Sequence, residues 1–400
     1  MRTLAVAVLA LAVVTAPSAA LAQIARGSAV VTHTAWASCA GDGMAPPLER
    51  TGAPIPYSAQ LSAFVEGWGV PYSGRDVRLT DLDAVDGSNV YLATARLAAC
   101  GQLHTGWGAF SWNFGYEPYS VDEAGQPDHR EWGRLTAAEV GLAPFRWLVL
   151  SIGVRKVAFS FGHDEPVEML ELPIRPYISQ SVAPDRRLGL TIDDDFGVAH
   201  VVVGLYEGNR DLSITSNGGF LLSARLVAEP LGPVGNTVST VFDPEYWRPR
   251  PRFAFNASIL LQFADGNTNY ALAADGVLHW GPVGLVGEFI YSSGTTVEAP
   301  TRLALRPAPL RDGLYIEAAA MLWRPWIELS ARYDWMNNAG QAGQQFHAFT
   351  AGATVYAVKQ YLRLQALYTH KLHFDLLPNR PDIQDDVLLF AASLALEKNF

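Results

Sequence analysis

No apolar run in this 400-residue chain approaches the roughly 20 residues that a membrane-spanning helix needs, which excludes an α-helical membrane protein. Charge is sparse as well. Only 17% of the residues are charged, against 49% hydrophobic and 11% aromatic, a pool too apolar for a disordered chain. Basic residues are outnumbered, with 29 Lys and Arg against 39 Asp and Glu and a formal charge of −10. No nucleic-acid partner is therefore expected, nor a broadly anion-attracting surface, although a local basic site stays open. Catalytic signatures are missing too: there is no Gly-x-Ser-x-Gly elbow, no phosphate-cradling glycine loop and no His-Glu-x-x-His pair. Neither an enzyme nor a cofactor is expected. The one dense polar triplet, His163-Asp164-Glu165, opens a long segment, and adjacent side chains on extended backbone point apart, a poor geometry for a metal. A barrel lipase or protease would need Ser, His and an acid to converge, which spacing alone does not show.

The two ends of the chain carry signals. Arg2 supplies a charged n-region, Leu4 to Val14 an apolar h-region, and Ala20-Leu21-Ala22 a small-x-small cleavage site. Residues 1–22 thus read as an export signal, leaving a mature chain that starts at Gln23 with a charge of 28 − 39 = −11. No cysteine stands at the cleavage site to carry a lipid. At the other end, Leu388, Phe390, Ala392, Leu394 and Leu396 share the parity of Phe400, while Leu389, Ala391, Ser393 and Ala395 take the other. Period two means a strand. An exported chain that closes on an amphipathic strand with a final aromatic has the pattern of a β-barrel in the outer membrane of a Gram-negative bacterium, whose barrel-assembly machinery reads that end at Phe400. Lys398, at the outward position before it, reads as a snorkelling side chain near the periplasmic interface.

Sixteen segments alternate in this way: 60–70, 90–100, 105–116, 134–144, 148–161, 187–194, 198–208, 220–230, 251–263, 269–280, 283–293, 313–323, 326–337, 345–358, 361–373 and 387–400. The links between them are alternately tight and long. Gly101–His104, Phe145–Trp147, Asp195–Gly197, Gly281-Pro282, Arg324-Pro325 and Lys359-Gln360 are tight, and 71–89, 117–133, 162–186, 294–312 and 374–386 are long, polar and rich in Pro and Gly. Short periplasmic turns opposite longer outer loops give this rhythm. Two links break it: 231–250 is long where a turn is expected, and 264–268 is short where a loop is. The expected fold is all-β, a transmembrane antiparallel β-barrel of sixteen strands over residues 60–400, with residues 23–59 as an N-terminal extension or plug segment. A soluble β-sandwich is the alternative, but sixteen alternating segments would oversize one.

Facing follows from parity. In 326–337, Ile327, Leu329, Ala331, Tyr333 and Trp335 point to outer-membrane lipid, and Glu328, Ser330, Arg332 and Asp334 to the lumen. The stretch 361–372 repeats this with Leu362, Leu364, Ala366 and Tyr368 outward and Arg363, Gln365, Thr369 and Lys371 inward. Phe110, Trp112, Phe114 and Tyr116 form an outward aromatic stripe. His200 and His279 fall on inward parity, where a wetted wall accounts for them.

Several stretches resemble the phosphate-selective porin O and P family: Ala138-Glu139-Val140-Gly141-Leu142, Leu148 to Phe161, and Ala183-Pro184-Asp185-Arg186-Arg187-Leu188-Gly189. Val203-Gly204-Leu205-Tyr206-Glu207-Gly208-Asn209, Glu328-Leu329-Ser330-Ala331-Arg332-Tyr333-Asp334 and Gly352 to Leu367 continue the likeness over residues 134–400. The resemblance implies a sixteen-stranded, homotrimeric channel for passive diffusion of small hydrophilic solutes or anions. It also implies that the third outer loop, here Gly162 to Arg186, folds inward to narrow the pore.

Anion selection needs converging Arg and Lys at the constriction. The inward list holds Arg155, Arg187, Arg225, Arg332, Arg363 and Lys371, but also Glu139, Asp193, Glu229, Asp275, Glu288, Glu317, Glu328 and Asp334. One reading is a wall network of mutual ion pairs that props the lumen. The other gathers Arg175, Arg186 and Arg187 of the third loop with Arg155 of the preceding strand into a basic constriction. Non-conducting alternatives also stand, among them a plugged anchor or surface-display barrel. Finally, strand 90–100 is expected to place Cys100 at the periplasmic turn, on the same side as Cys39, where the two can pair in an oxidising compartment or remain separate thiols.

Overall fold

A strand that meets lipid on one side and water or protein on the other must alternate, and closure into a barrel leaves no edge unpaired. The computed structural model shows that solution in full. It describes residues 57–73, 89–105, 108–120, 134–145, 147–165, 170–184, 186–208, 219–232, 234, 238, 250–264, 267–293, 310–323, 326–338, 344–375 and 383–399. The expected export signal at 1–22, Cys39 and Phe400 lie outside the described residues, as does nearly all of the expected extension 23–59.

Sixteen antiparallel strands close into one barrel in chain order. They are β1 Tyr57–Ser73, β2 Asn89–Thr105, β3 Gly108–Ser120, β4 Arg134–Phe145, β5 Leu148–Arg155, β6 Arg187–Asp195, β7 Ala199–Glu207 and β8 Phe220–Ala228. The second half comprises β9 Arg252–Ala264, β10 Asn267–Trp280, β11 Val283–Ser293, β12 Leu310–Trp323, β13 Ile327–Asn338, β14 Gln344–Gln360, β15 Leu362–Asp375 and β16 Ile383–Asn399. The seam is sealed by β1 against β16, with Gln60 opposite Asn399 and Phe64 opposite Ala395. Each expected segment is a strand, and the barrel begins at Tyr57 rather than at residue 60.

Parity assigns the faces as expected. Leu329 and Leu364 stand 44% and 47% exposed on the outside, while Glu328, Arg332, Asp334 and Arg363 are buried on the inside. Among the described residues no helix is long and apolar enough to cross a membrane.

Three local expectations need correction. Gly101–His104 is not a turn: pairing of β2 with β3 continues to Thr105 opposite Gly108, so Cys100 sits in the wall, facing inward. The alternation of 148–161 also outruns its strand, because β5 ends at Arg155 and residues 156–161 enter the third outer loop, still buried but now by loop packing. Lastly, His163 and Asp164 are not extended. They belong to a helical turn, α1 Phe161–Asp164, whose N-cap Ser160 accepts a hydrogen bond from the His163 amide. A second short helix, α2 Tyr177–Val182, completes the described part of that loop.

Candidate functional site

In the β5–β6 connection, the described residues 156–165, 170–184 and 186 lie within the barrel, and their apolar side chains are buried against the inner wall. Phe159, Phe161, Ile178 and Val182 join one buried cluster with Leu260, Val286 and Tyr315. Leu172 and Ile174 join another with Trp68, Leu367 and Leu389. The loop thus runs from its stem on β5 and β6 to inward-facing residues of the seam strands.

Its backbone is held by the wall's charges. Glu288 of β11 accepts hydrogen bonds from Ser160 Oγ at 3.0 Å, from the amides of Phe161 and Gly162 at 3.1 Å each, and from Ser179 Oγ at 3.1 Å. One carboxylate therefore ties both helices of the loop to one strand. Gly162 permits the approach: a Cβ there would lie 2.9 Å from Pro176 Cγ, Ser179 Oγ and Tyr315 OH. Asp334 of β13 accepts the Tyr177 amide at 3.0 Å. Arg332, beside it on the same face, donates to the carbonyls of Ile174 at 2.7 Å and Arg175 at 3.3 Å, and to the carboxylates of Asp334 at 2.8 Å and Glu317 at 3.3 Å. From β15, Arg363 donates to Leu170 O at 2.9 Å and Gln365 to Glu171 O at 2.7 Å. Arg311 of β12 donates to Ser181 O at 3.2 Å. Lys371 lies 5.5 Å from the centre of the Tyr177 ring, a cation–π distance, and Arg225 of β8 pairs with Asp164.

The eight basic residues singled out from the sequence therefore divide. Arg225, Arg332, Arg363 and Lys371 touch the loop from the wall. Arg175 closes the loop on itself, with Nη1 donating to Gly162 O at 2.7 Å and His163 O at 3.0 Å. Only the stem residues remain grouped. Arg155 and Arg187 are direct cross-strand partners on β5 and β6, and Arg186 precedes Arg187 in the chain, all three 9% exposed or less. Arg155 also donates to Thr191 Oγ1 at 2.8 Å and lies 3.6 Å from Glu139. Arg175 does not join them: its carbonyl rests on Arg332 of β13, eight strands round from the stem in the barrel order.

Within the loop, Glu171 is buried next to Glu165, Glu317 and Glu328, and desolvation first, then those acids, push its carboxyl well above the ordinary range. Sequence reading missed Glu288, Asp334 and Arg311 as loop anchors. Inward parity was the available signal, but parity does not say what lies opposite.

A closed sixteen-stranded barrel, apolar outside and holding its third outer loop inside, has the porin fold, a fold of the outer membrane of Gram-negative bacteria. No family model matches the chain, and no curated protein matches it either. Among solved structures it is similar to the outer membrane channel DcaP of Acinetobacter baumannii, at 12% identity over 86% of this chain and 99% of that one, with a TM-score of 0.57. The anion-selective porin from Comamonas acidovorans is similar at 11% identity over 85% of this chain and 98% of that one, with a TM-score of 0.55. OprB of Pseudomonas putida follows at 12% identity, 86% and 94% coverage and a TM-score of 0.56.

Proposed function

We propose that this chain is a non-enzymatic outer-membrane channel for passive diffusion of small hydrophilic solutes or anions, narrowed by its third outer loop. The observation that carries the reading is the seating of that loop on Glu288, Arg332, Asp334 and Arg363 of the inner wall. A loop tied at so many points is a fixed aperture wall rather than a tether. The motif resemblance to the phosphate-selective porin O and P family supports the same plan, and with it a homotrimer, delivery through an export signal in residues 1–22 and assembly through Phe400. The stem group Arg155, Arg186 and Arg187 is the basic patch most suited to meet an anion, because its members flank the point where the loop leaves the wall. The surplus of acids argues for weak selectivity. Planar-bilayer recording tests the channel: stable conductance steps are expected from the purified protein.

A second reading is favoured by one observation. Lumen-facing Glu66, Arg96, Asn113 and Glu139 on β1–β4 are all 6% exposed or less, whereas an open water-filled wall would leave such groups wet. This supports a plugged barrel, an anchor or display protein. Silence in the bilayer from an intact barrel would establish that reading in place of the channel.

A further inference from the structure

The link between β8 and β9, residues 229–251, is out of proportion. It lies at the barrel end where the other links, at 106–107, 146–147, 196–198, 281–282, 324–326 and 361, are short turns, the periplasmic end by that rhythm. Its described residues do not trail outward. Glu229 caps the first bend, its carboxylate accepting the Val234 amide at 2.8 Å. Val234 and Val238 are 4% and 1% exposed and belong to the same buried cluster as Phe159 and Phe161 of the third outer loop and Val277 and Val286 of the wall. The Val238 amide donates to Glu165 Oε1 at 3.2 Å, and Glu165 is the C-cap of α1. Beneath it, the Val238 carbonyl lies so close to the inward face of β11 that a Cβ on Gly284 would collide with its oxygen.

Taken together, these contacts join two segments that enter the lumen from opposite ends. The outer loop reaches down to Glu165, and the periplasmic link reaches up to Val238. We infer that the described residues Val234 and Val238 of the β8–β9 link form a second constriction element, and that the seat of Val238 on Glu165 and Gly284 sets the size limit of the channel. The inference rests on the diffusion-channel reading. Val234 and Val238, 4% and 1% exposed, pack their apolar side chains into the cluster shared by wall and outer loop and so hold this part of the link inside the barrel.

Three variants of the full chain test this in bilayers and in liposomes challenged with sugars of increasing size. Gly284→Ala places a methyl group where the Val238 carbonyl now rests and should push the link off the wall. Glu165→Ala removes the acceptor that joins the link to the outer loop. Both should raise single-channel conductance and admit sugars that the parent excludes. Gly287→Ala on the same strand, where a Cβ meets nothing nearer than 3.9 Å, should match the parent. Heat-modifiable mobility identifies folded barrel in every sample. A conducting parent whose Gly284→Ala and Glu165→Ala forms keep its conductance and size limit would overturn the second constriction while leaving the channel standing. If parent and variants alike fail to conduct, the diffusion channel and its second constriction fall together.

Discussion

Asp334 and Tyr177 meet across the lumen wall, carboxylate Oδ1 accepting the backbone amide at 3.0 Å, although 157 residues separate them. That contact starts α2, and Arg332 secures it by holding Asp334 from one side and the carbonyls of Ile174 and Arg175 from the other.

Replacing Arg332 with Met should therefore undock the loop while leaving the barrel intact. It would strip a buried cation from between Glu317 and Asp334, and removal of one partner from a buried ion pair costs about 3–5 kcal/mol. The expected outcome is faster amide exchange across 174–182 with unchanged heat-modifiable mobility. Exchange as slow as in the parent would show that the apolar clusters hold the loop without the guanidinium.

Sixteen strands closed on themselves expose no ladder edge. The detergent-purified protein should give a β-dominated circular dichroism spectrum and should migrate differently in gels with and without boiling. A helix-dominated spectrum would contradict the barrel.

Reversal potentials in a salt gradient are expected to show weak selectivity, in line with the acidic wall. Changing Arg155, Arg186 and Arg187 together to Ala should shift the potential towards cations. Arg175→Ala should shift it less, since that guanidinium is engaged by the carbonyls of Gly162 and His163. Equal shifts from the two would mean that Arg175 also faces the permeating ion.

The raised carboxyl of Glu171 gives loop docking a pH dependence. An acid whose folded pKa exceeds its unfolded value stabilises the folded arrangement below the ordinary carboxylate range and loses that contribution as pH climbs through the raised value. Docking should thus loosen on going from acid to neutral and alkaline pH. Glu171→Gln should flatten the dependence, read as intrinsic-rate-corrected amide exchange at 170–174. A slope that survives the substitution would assign the effect to the other acids of the lumen.

A bond between Cys39 and Cys100 is expected to remain a test of the N-terminal segment. It would close a loop of about 60 residues and, in the loop-entropy model, stabilise by roughly 4 kcal/mol if unstrained. Cys100 is buried in the β2 wall, so the bridge would draw the segment into the lumen rather than to its floor. Alkylation and mass mapping of non-reduced protein should recover the two peptides linked; two free thiols would exclude it.

Strand number and facing were legible because a wall with lipid on one side imposes period two on every segment, as Glu328 to Trp335 shows residue by residue. Where an element ends was less legible. Val157, Phe159 and Phe161 keep the parity of β5 past its last paired residue and bury their side chains against wall and loop together, since alternation records burial and not hydrogen-bonding partners. The seat of the third loop was not readable at all: Arg363 meets Leu170 O across 193 residues, and a backbone carbonyl leaves no mark in the sequence of its partner. In the β8–β9 link, excess length was visible, but the contacts of Val238 with Glu165 and Gly284 were not, because no local pattern connects those residues.

The seam between β1 and β16 has a kinetic consequence. Gln60 and Asn399 pair at a separation of 399 − 60 = 339 residues, so among the described residues the closing strand pair is the most distant in sequence. Long-range pairings slow folding because loop-closure entropy must be overcome before they contribute. Until β16 arrives, β1 carries an open edge that other chains can template on. Weak pairing along Phe64–Ala395 or Glu66–Ser393 would accordingly show as low yield during assembly and as faster unfolding of the barrels that do close.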